Sequence, residues 1–376
     1  MPEVDIGKLK NELLCYGVNC SLNVLDNIRK INPYASINKS VHSAFFLIDE
    51  IYVVNVPINE RYTKSSPYTI KLNSEQLLLY KNEQKIGPVT ILTPPRWYKK
   101  KTSNHTKMYD VLNVHNKNVL ALTHYINCYY SNLGNQCLFC SVEGSNIPQL
   151  LDLEIRKQDI VETLVEALKE NNQYTLALSE GVKNSDDRGA IYFSTILQEI
   201  LTNNIQIKSS VELAPPSNNS YIDLLYSSGA SSIILNIEFY SEELRKLYCP
   251  GKSEISIERY FDALSYSVKK FGYGNVASVL IVGIEPIDNT ITCAKLLLDM
   301  GVLPIIIPFK PYDNCNLSNM EITNPKDLDL VSESIRQYFR SKVFRNICES
   351  ACISCGACNA DYYIKRETSS CLKGID

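Results

Sequence analysis

Three cysteines lie close together between residues 128 and 140, and their spacing suits metal chemistry. Two residues, one of them Phe139, separate Cys137 from Cys140, and eight residues separate Cys128 from Cys137. Thiolates bind soft metal ions and iron–sulfur clusters. Three thiolates can hold three irons of a cubane cluster and leave the fourth iron open to a cofactor or substrate. A closed structural zinc site would need a fourth protein ligand, and no histidine lies in this loop.

A second group of cysteines lies near the end of the chain, where four thiols occur within eleven residues. A tetrahedral zinc site usually separates its two ligand pairs by a longer loop, whereas Cys-x2-Cys-x2-Cys is the spacing of ferredoxin-type [4Fe-4S] ligation. The spacing predicts a second iron–sulfur cluster, with zinc as the alternative. Its fourth ligand is either the first cysteine of the group or Cys371, or it is absent, which would leave an open iron. The members of the group are Cys348, Cys352, Cys355 and Cys358.

The remaining cysteines are scattered, and each is read as a small buried hydrophobic residue. A chain of 376 residues with 13 cysteines and no apolar leader in Met1 to Lys10 indicates a cytoplasmic protein, because that compartment keeps thiols reduced. No apolar run reaches the length of a membrane span, so no membrane partner is expected. The scattered cysteines are Cys15, Cys20, Cys249, Cys293 and Cys315.

The charge balance does not favour nucleic acid as a partner. The formal net charge is −3, so general attraction to polyanions is absent and binding would need a local basic patch. The longest basic run is Lys99 to Lys101, next to Trp97 and Tyr98, and such a triplet is usually a solvated loop. The chain has only four histidines and no readable Ser/His/Asp group, so the sequence does not favour hydrolytic chemistry.

The elements that must position the first cysteine group begin at residue 119. Before it, residues 1–118 show one amphipathic helix, Ile6 to Cys15, and β-branched runs that predict a small α+β domain. After it, apolar runs alternate with helical periodicity six times, which predicts an α/β core over residues 119–345 with a parallel sheet, either open or curled into a barrel. Residues 346–376 form a cysteine-rich extension. The predicted strands are 119–125, 175–179, 205–213, 231–238, 276–284 and 302–309, and the predicted helices lie near 155–170, 188–202, 217–227, 255–271, 289–300 and 325–344.

Active sites of parallel α/β proteins form at the carboxyl ends of the strands, and the first cysteine group follows the first of these strands. A strand, then Cys, a gap and Cys-x-aromatic-Cys, then six βα units, resembles the radical S-adenosylmethionine (SAM) superfamily. The resemblance implies a partial (β/α)6 TIM-type barrel and a [4Fe-4S] cluster held by Cys128, Cys137 and Cys140. The unique iron of that cluster would chelate SAM, and one-electron reduction would release methionine and a 5′-deoxyadenosyl radical that abstracts hydrogen. A reductant such as ferredoxin or flavodoxin is implied.

The gap of eight residues departs from the three that most of the superfamily has. Lengthening a flexible loop from roughly four to nine steps costs only about 0.7 kcal/mol of closure entropy, so the site is retained. Further landmarks assign SAM contacts. Ser179, Glu180 and Gly181 occupy the place of a Gly-Gly-Glu turn, and Asn236 and Glu238 end the fourth strand as polar residues on one face.

The fifth strand resembles a Gly-x-Ile-x-Gly-x-x-Glu segment that packs near adenine, with Ile281 and Gly283 as the matching residues and Glu285 one place early. Pro250-Gly251-Lys252 and the cysteine-rich end resemble a biotin-synthase-related, uncharacterised branch of the superfamily. This favours hydrogen abstraction from a small-molecule substrate, with sulfur insertion of the biotin- or lipoyl-synthase kind as one reaction. The alternatives are a radical SAM enzyme that modifies tRNA through the Trp97 to Lys101 segment, and a non-catalytic iron- or zinc-binding scaffold or redox sensor.

Overall fold

The computed structural model describes residues 5–34, 43–48, 52–122, 128–141, 156–179, 181–340 and 351–360. It is a mixed α/β protein whose centre is a curled, half-barrel sheet of seven strands. In space the strands follow the order β14-β13-β12-β11-β10-β9-β8. β8 is antiparallel to β9, and the other neighbours are parallel. The strands are β8 (Leu112–His115), β9 (Val119–Leu122), β10 (Thr175–Ser179), β11 (Ser209–Glu212), β12 (Ser232–Ile234), β13 (Val276–Val282) and β14 (Leu303–Pro308).

Helices follow the parallel strands and cover the outside of the sheet. Within the described residues, the predicted strands and helices after residue 119 are confirmed to within about four residues at their ends, and predicted residues 123–125, 155 and 341–344 lie outside that part. α11 begins at Pro325, whose fixed φ suits a first helical turn, and Asn324 accepts from the Lys326 backbone amide at 3.1 Å. The helices of this part of the chain are α4 (Tyr129–Asn132), α5 (Lys157–Glu170), α6 (Ala190–Thr202), α7 (Ser220–Ser227), α8 (Glu242–Tyr248), α9 (Ile257–Phe271), α10 (Ile287–Asp299), α11 (Pro325–Arg340) and α12 (Ala351–Cys355).

The two faces of the sheet differ in side-chain size. Residues that point outward are large and apolar, among them Leu120, Leu176, Val211 and Ile233, and they pack in one cluster with the covering helices. The residues between them point inward because successive side chains in a strand alternate. Four of these inward residues are neighbours in register across β9 to β12, and all four are small, which leaves room inside the half-barrel: Ala121, Ala177, Ser210 and Ser232.

The first part of the chain forms two smaller sheets, ordered β1-β4-β5-β6 and β3-β2-β7, around a separate apolar core. Residues 44–56 contribute two antiparallel strands, and residues 49–51 between them lie outside the described part. Asn11 donates to Asp329 on α11 at 2.7 Å and so joins this part to the α/β core. Its elements are α1 (Ile6–Tyr16), β1 (Asn19–Cys20), α2 (Leu22–Ile31), β2 (Ser43–Ile48), β3 (Tyr52–Pro57), β4 (Tyr68–Asn73), β5 (Gln76–Lys81), β6 (Gln84–Pro88), β7 (Thr90–Ile91) and α3 (Met108–Val111).

The described part of the cysteine-rich end lies between the β2–β3 hairpin and the α/β sheet. The Asn55 amide donates to the Ala357 carbonyl at 2.9 Å, and the Ala360 amide donates to the Ile306 carbonyl at 2.8 Å. Cys355 packs with Val53 and with Val119, the first residue of β9. The tail therefore bridges the early sheets and both outer parallel strands.

Within the described residues, no helix combines the length and the hydropathy needed to cross a bilayer.

Candidate functional site at the carboxyl edge of the parallel strands

The loop from Cys128 to Ser141 lies at the carboxyl ends of β9 and β10. The Tyr129 amide donates to the Val182 carbonyl at 2.9 Å, just beyond the end of β10. Gly181 packs against the backbone of Cys128 so closely that an added Cβ would lie 2.7 Å from the Cys128 Cα. Contacts this short are not available to any residue with a side chain, so Gly181 fixes the position of the first cysteine.

The same loop is held from its other side by the segment that follows α8. The Leu138 amide donates to the Tyr248 carbonyl at 2.8 Å, and the Gly251 amide donates to the Asn135 carbonyl at 3.0 Å. The buried ring of Tyr130 lies over Gly251, where a Cβ would come within 2.3 Å of ring carbons. The eight residues between Cys128 and Cys137 are thus tied to the scaffold by backbone hydrogen bonds.

An apolar bed supports the second and third cysteines. Phe139 packs edge-on against Phe239 with ring centroids 5.6 Å apart. Ile281 and Phe309 are buried in the same cluster, and Cys137 packs against it. This places the predicted contact residue Ile281 beneath the cysteine loop. Here it supplies apolar surface that excludes water.

Beside this bed the inner face of the sheet becomes polar. Asn236 donates to Glu212 at 2.6 Å and accepts from the Val279 amide at 3.0 Å. Ser179 lies opposite Glu212 in register, and its side chain hydrogen-bonds the same carboxyl group. Burial raises the pKa of Glu212, and the hydrogen bond from Asn236 opposes that rise. Ser179 and Asn236, both predicted site residues, therefore meet at one carboxylate.

Glu238 forms a buried ion pair with Lys252, whose Nζ lies 2.6 Å from Oε1. The side chains are 8% and 18% exposed, so the pair is largely removed from water. Glu238 adopts a left-handed backbone conformation with φ of 68°. The predicted strand to residue 238 ends at Ile234 instead, and Glu238 reaches β13 through an isolated bridge to Leu280. Such a φ is uncommon outside glycine and marks a residue held by its surroundings.

Cys249 completes a compact group with Glu238 and Cys137. Its thiol donates a hydrogen bond to Glu238 Oε2 at 3.6 Å, and the three potential ligand atoms lie within 4.8 Å of one another. Burial and a hydrogen bond with Cys137 raise the pKa of the Cys249 thiol well above its usual range. Burial alone would lower the pKa of Lys252, but the charges of Glu238 and Cys137 outweigh it and raise that pKa well above its ordinary value.

Gly283 and Glu285 have structural roles in this edge. A Cβ on Gly283, at φ of 103°, would lie 2.3 Å from the Thr323 hydroxyl, which donates to the Val282 and Phe309 carbonyls. Glu285 accepts from the Tyr240 amide at 3.1 Å and from Thr290 at 3.1 Å. The glutamate therefore ties the segment after β12 to the start of α10.

The described tail cysteines, Cys352, Cys355 and Cys358, do not join the loop cysteines. Cys355 contacts the first residue of β9, whereas Cys128 follows its last, so the two groups lie at opposite ends of that strand. The Nδ2 atom of Asn55 donates to the Cys358 Sγ at 3.6 Å. Burial lowers the pKa of Lys310, and the nearby Cys358 sulfur opposes that shift. Cys355 also lines a cavity of about 980 Å³ at the amino ends of β9 to β12, away from the cysteine loop.

Among the described residues, the only three metal-ligand atoms within 4.8 Å of one another are those of Cys137, Glu238 and Cys249. The loop triplet and the three described tail thiols are more widely spaced than ligands of one ion. A cubane spaces its terminal thiolates farther apart than a single ion does. Glu180, Cys348 and Cys371 lie outside the described residues.

The aromatic–basic segment does not form a stacking surface. Trp97 is 1% exposed and Tyr98 is 6% exposed, and both pack in the main core. Lys100 lies 2.5 Å from Glu166 on α5. The interpretation of Trp97 and Tyr98 as RNA-stacking residues is therefore wrong, because base stacking requires an accessible ring.

Three residues of the site were missed or undervalued by sequence reasoning. Glu212 was read only as part of a strand, although an acidic residue at the carboxyl end of a parallel strand is a usable signal. Cys249 is buried, as the sequence predicts for the scattered cysteines, but it lies against Cys137. Lys252 has no assigned role in the sequence analysis, because its pairing with Glu238 depends on the fold of the loop after α8.

No protein-family model and no curated protein matches the chain. Among solved structures, it is similar to HydG, a maturase of the [FeFe]-hydrogenase, with a TM-score of 0.44 and 18% identity over 59% of this chain and 49% of HydG. It is also similar to a radical SAM methyltransferase from Sphaerobacter thermophilus, with a TM-score of 0.45 and 14% identity over 72% of this chain and 75% of the other.

A third similar structure is the radical SAM methyltransferase TsrM from Kitasatospora setae, with a TM-score of 0.40 and 11% identity over 59% of this chain and 42% of TsrM. The chain thus spans about half of the HydG chain. At these identities, and with TM-scores below 0.5, the likeness establishes no reaction.

Proposed function

We propose that this chain is a radical SAM enzyme whose [4Fe-4S] cluster is held by Cys128, Cys137 and Cys140. The observation that carries the proposal is the attachment of the cysteine loop at the carboxyl edge of six parallel strands, beside a polar inner rim. That edge is where parallel α/β proteins bind ligands and perform chemistry. The proposal includes a partial (β/α)6 barrel as the fold of the core.

The residues present fit an iron–sulfur cluster. The donor set is three thiols in one loop, and Gly181 and Gly251 allow that loop to lie directly on the scaffold. When bound, the cluster would supply the electron that cleaves SAM to methionine and a 5′-deoxyadenosyl radical. The apolar bed of Phe239, Ile281 and Phe309 keeps water from the cluster side of the loop.

The polar rim supports binding of a zwitterionic and hydroxylated cofactor. Glu212 offers a carboxylate to an ammonium or hydroxyl group, and Asn236 orients that carboxylate through its 2.6 Å hydrogen bond. Ser179, Glu180 and Gly181 would line the amino-group side, Glu238 the ribose side, and Ile281 and Gly283 the adenine side. Each of these placements is part of the proposal.

The proposal includes an auxiliary iron–sulfur cluster on Cys352, Cys355 and Cys358, with Cys348 or Cys371 as the fourth ligand or with an open iron. Asn55 lies within hydrogen-bonding distance of the Cys358 sulfur, and such contacts tune the reduction potential of a cluster. We propose that the substrate is a small molecule and that sulfur insertion of the biotin-synthase-related kind is one reaction it undergoes. A ferredoxin or flavodoxin would supply electrons, and 13 cysteines favour a reducing compartment such as the cytoplasm.

The test is anaerobic reconstitution with iron and sulfide, reduction with dithionite, and detection of 5′-deoxyadenosine from added SAM by mass spectrometry. The wild-type chain is expected to form it. Cys140→Ser is expected to reduce the rate at least about 100-fold, since a missing ligand destabilises the cluster at the cleavage site.

The matched control is Cys293→Ser, because Cys293 is buried on α10 and lies outside the cysteine loop. This variant is expected to keep the wild-type iron content. High iron and sulfide content without 5′-deoxyadenosine in the wild type would exclude the proposed chemistry. Equal cleavage by wild type and Cys140→Ser would remove Cys140 from the ligand set.

A further inference from the structure

Cys137, Glu238 and Cys249 form a second potential metal site at the edge of the cysteine loop. We propose that these three residues bind one divalent ion of the zinc class when no iron–sulfur cluster occupies the loop. The inference does not rest on the proposed radical chemistry, because it concerns a different donor set, which shares Cys137 with the proposed cluster ligands and Glu238 with the proposed SAM contacts.

The spacing of the donor atoms fits a single tetrahedral ion. Zinc–sulfur bonds of about 2.3 Å and zinc–oxygen bonds of about 2.1 Å at tetrahedral angles place sulfur and oxygen ligands about 3.6 Å apart. The observed distance from Cys249 Sγ to Glu238 Oε2 is 3.6 Å. All three donor atoms lie within 4.8 Å of one another, so small rotamer changes suffice for Cys137.

The carboxylate of Glu238 is oriented for one-oxygen ligation. Lys252 holds Oε1 at 2.6 Å, which directs Oε2 toward Cys249. Metal-binding carboxylates are commonly oriented by such a hydrogen bond from a residue outside the ligand set. The Glu238 backbone is fixed as well, since its amide donates to Val279 and its carbonyl accepts from Ile281 at 3.0 Å.

The charges of the group balance when an ion is added. Two thiolates and one carboxylate carry three negative charges, and Lys252 with a divalent ion carries three positive charges. Cys249 is 1% exposed and Glu238 is 6% exposed, so a net charge here would carry a large desolvation penalty. Two sulfur donors favour zinc or cobalt over magnesium or calcium.

Cys137 cannot serve both metals at once. A cubane holds its terminal thiolates on separate irons, farther apart than the ligands of one ion. Binding of the single ion and assembly of the cluster are therefore alternative states, and Cys249 belongs only to the first.

The experiment is titration of the metal-free, full-length protein with Co²⁺ under anaerobic conditions, read by thiolate-to-cobalt charge-transfer absorption and confirmed by competition with Zn²⁺. We compare wild type with Cys249→Ser and Cys140→Ser, since every tail thiol remains in all three. Cys249→Ser is expected to weaken one tight equivalent at least about 10-fold, whereas Cys140→Ser retains it. Glu238→Gln provides a second ligand variant if Cys249→Ser does not fold by circular dichroism.

The converse pattern is expected for iron. After reconstitution, Cys249→Ser retains the iron and sulfide content that Cys140→Ser loses. Equal Co²⁺ affinity in wild type and Cys249→Ser, or loss of the tight equivalent in Cys140→Ser, would overturn the inference, the latter by assigning the ion to the loop triplet. Failure of the radical chemistry would instead appear as absent 5′-deoxyadenosine with Co²⁺ binding unchanged.

Discussion

Two glycines fix the cysteine loop through close approach of backbones. Gly181 meets Cys128, where a Cβ would lie 2.7 Å from backbone atoms, and Gly251 meets the ring of Tyr130. A backbone neighbour cannot move aside without displacing its own segment. The geometry of the first cysteine is therefore set by a residue just beyond the end of β10.

Gly181→Ala is expected to displace Cys128 and to lower the iron content after reconstitution to less than about half of wild type, because metal affinity depends on ligand placement. Iron and sulfide analysis of the reconstituted variant measures this loss of iron. Gly87→Ala is the matched control, since an added Cβ there meets no atom within 4 Å. Wild-type iron content in Gly181→Ala would show that the loop adapts to the added carbon.

The ion pair of Glu238 and Lys252 predicts a strong coupling in the metal-free protein. Lys252→Met leaves a buried carboxylate without an opposite charge, which costs roughly 3–5 kcal/mol of unfolding free energy. The double variant Lys252→Met/Glu238→Gln is expected to recover most of that loss, because no buried charge remains. Urea denaturation of both variants measures the coupling.

The comparison is the exposed pair of Lys270 and Asp223, whose side chains are 39% and 41% exposed. Lys270→Met is expected to shift the unfolding midpoint far less, since solvent screens that pair. Similar losses in Lys252→Met and Lys270→Met would mean that the Glu238 pair is hydrated in solution.

At the scale of elements, the described tail behaves as part of the α/β core. α12 contacts β9, β10 and β14, and Ile353 is 7% exposed within the main apolar cluster. Lys10 donates to the Gly356 carbonyl at 2.7 Å, so α1 also holds this segment. The small inward residues Ala121 and Ala177 leave space on the face that the tail approaches.

Ile353→Ala is expected to lower the free energy of unfolding by about 2–4 kcal/mol, the usual cost of removing a buried branched side chain. Leu330→Ala on α11 is the control, because Leu330 is 51% exposed. Chemical denaturation of metal-free protein separates the two. An unchanged midpoint for Ile353→Ala would show that the tail detaches before the core unfolds.

At the scale of the whole molecule, β8 joins the early sheets to the parallel core. His115 ends β8 and lies 5.9 Å from Phe45 on β2, measured between ring centroids. Burial lowers the pKa of His115 from 6.5 to about 4. Protonation of this ring is therefore unfavourable in the folded molecule, and it links the stability of the junction to pH.

The direction of this pH dependence follows from proton binding at His115. Between pH 6.5 and 4 the unfolded chain binds more protons at His115 than the folded chain, so stability is lost as the pH falls. The loss of unfolding free energy from this residue is at most about 3.4 kcal/mol. His115→Gln removes this pH-dependent loss. Urea denaturation is expected to show a smaller difference in unfolding free energy between pH 7 and pH 5 for the variant than for wild type. An equal pH dependence in both proteins would place the histidine in water.

The sequence alone located the elements of the α/β core and the loop that carries the first cysteine group. Alternating apolar runs and helical stripes located the six parallel strands and their helices, because burial on one face imposes a period on the chain. Cysteine spacing within one loop likewise needs no tertiary information. Local patterns of this kind locate the ends of the strands. They therefore also locate the edge of the sheet on which Cys128, Cys137 and Cys140 lie.

Only the tertiary structure decided which distant residues meet that loop. Cys249 and Lys252 follow α8 and reach Cys137 and Glu238 because the segment after α8 folds back over the cysteine loop. Trp97 and Tyr98 resemble a surface patch in sequence but are buried, since helix α5 and strand β8 pack over them. Contacts between segments distant in sequence depend on how the whole chain closes, and no local periodicity records them.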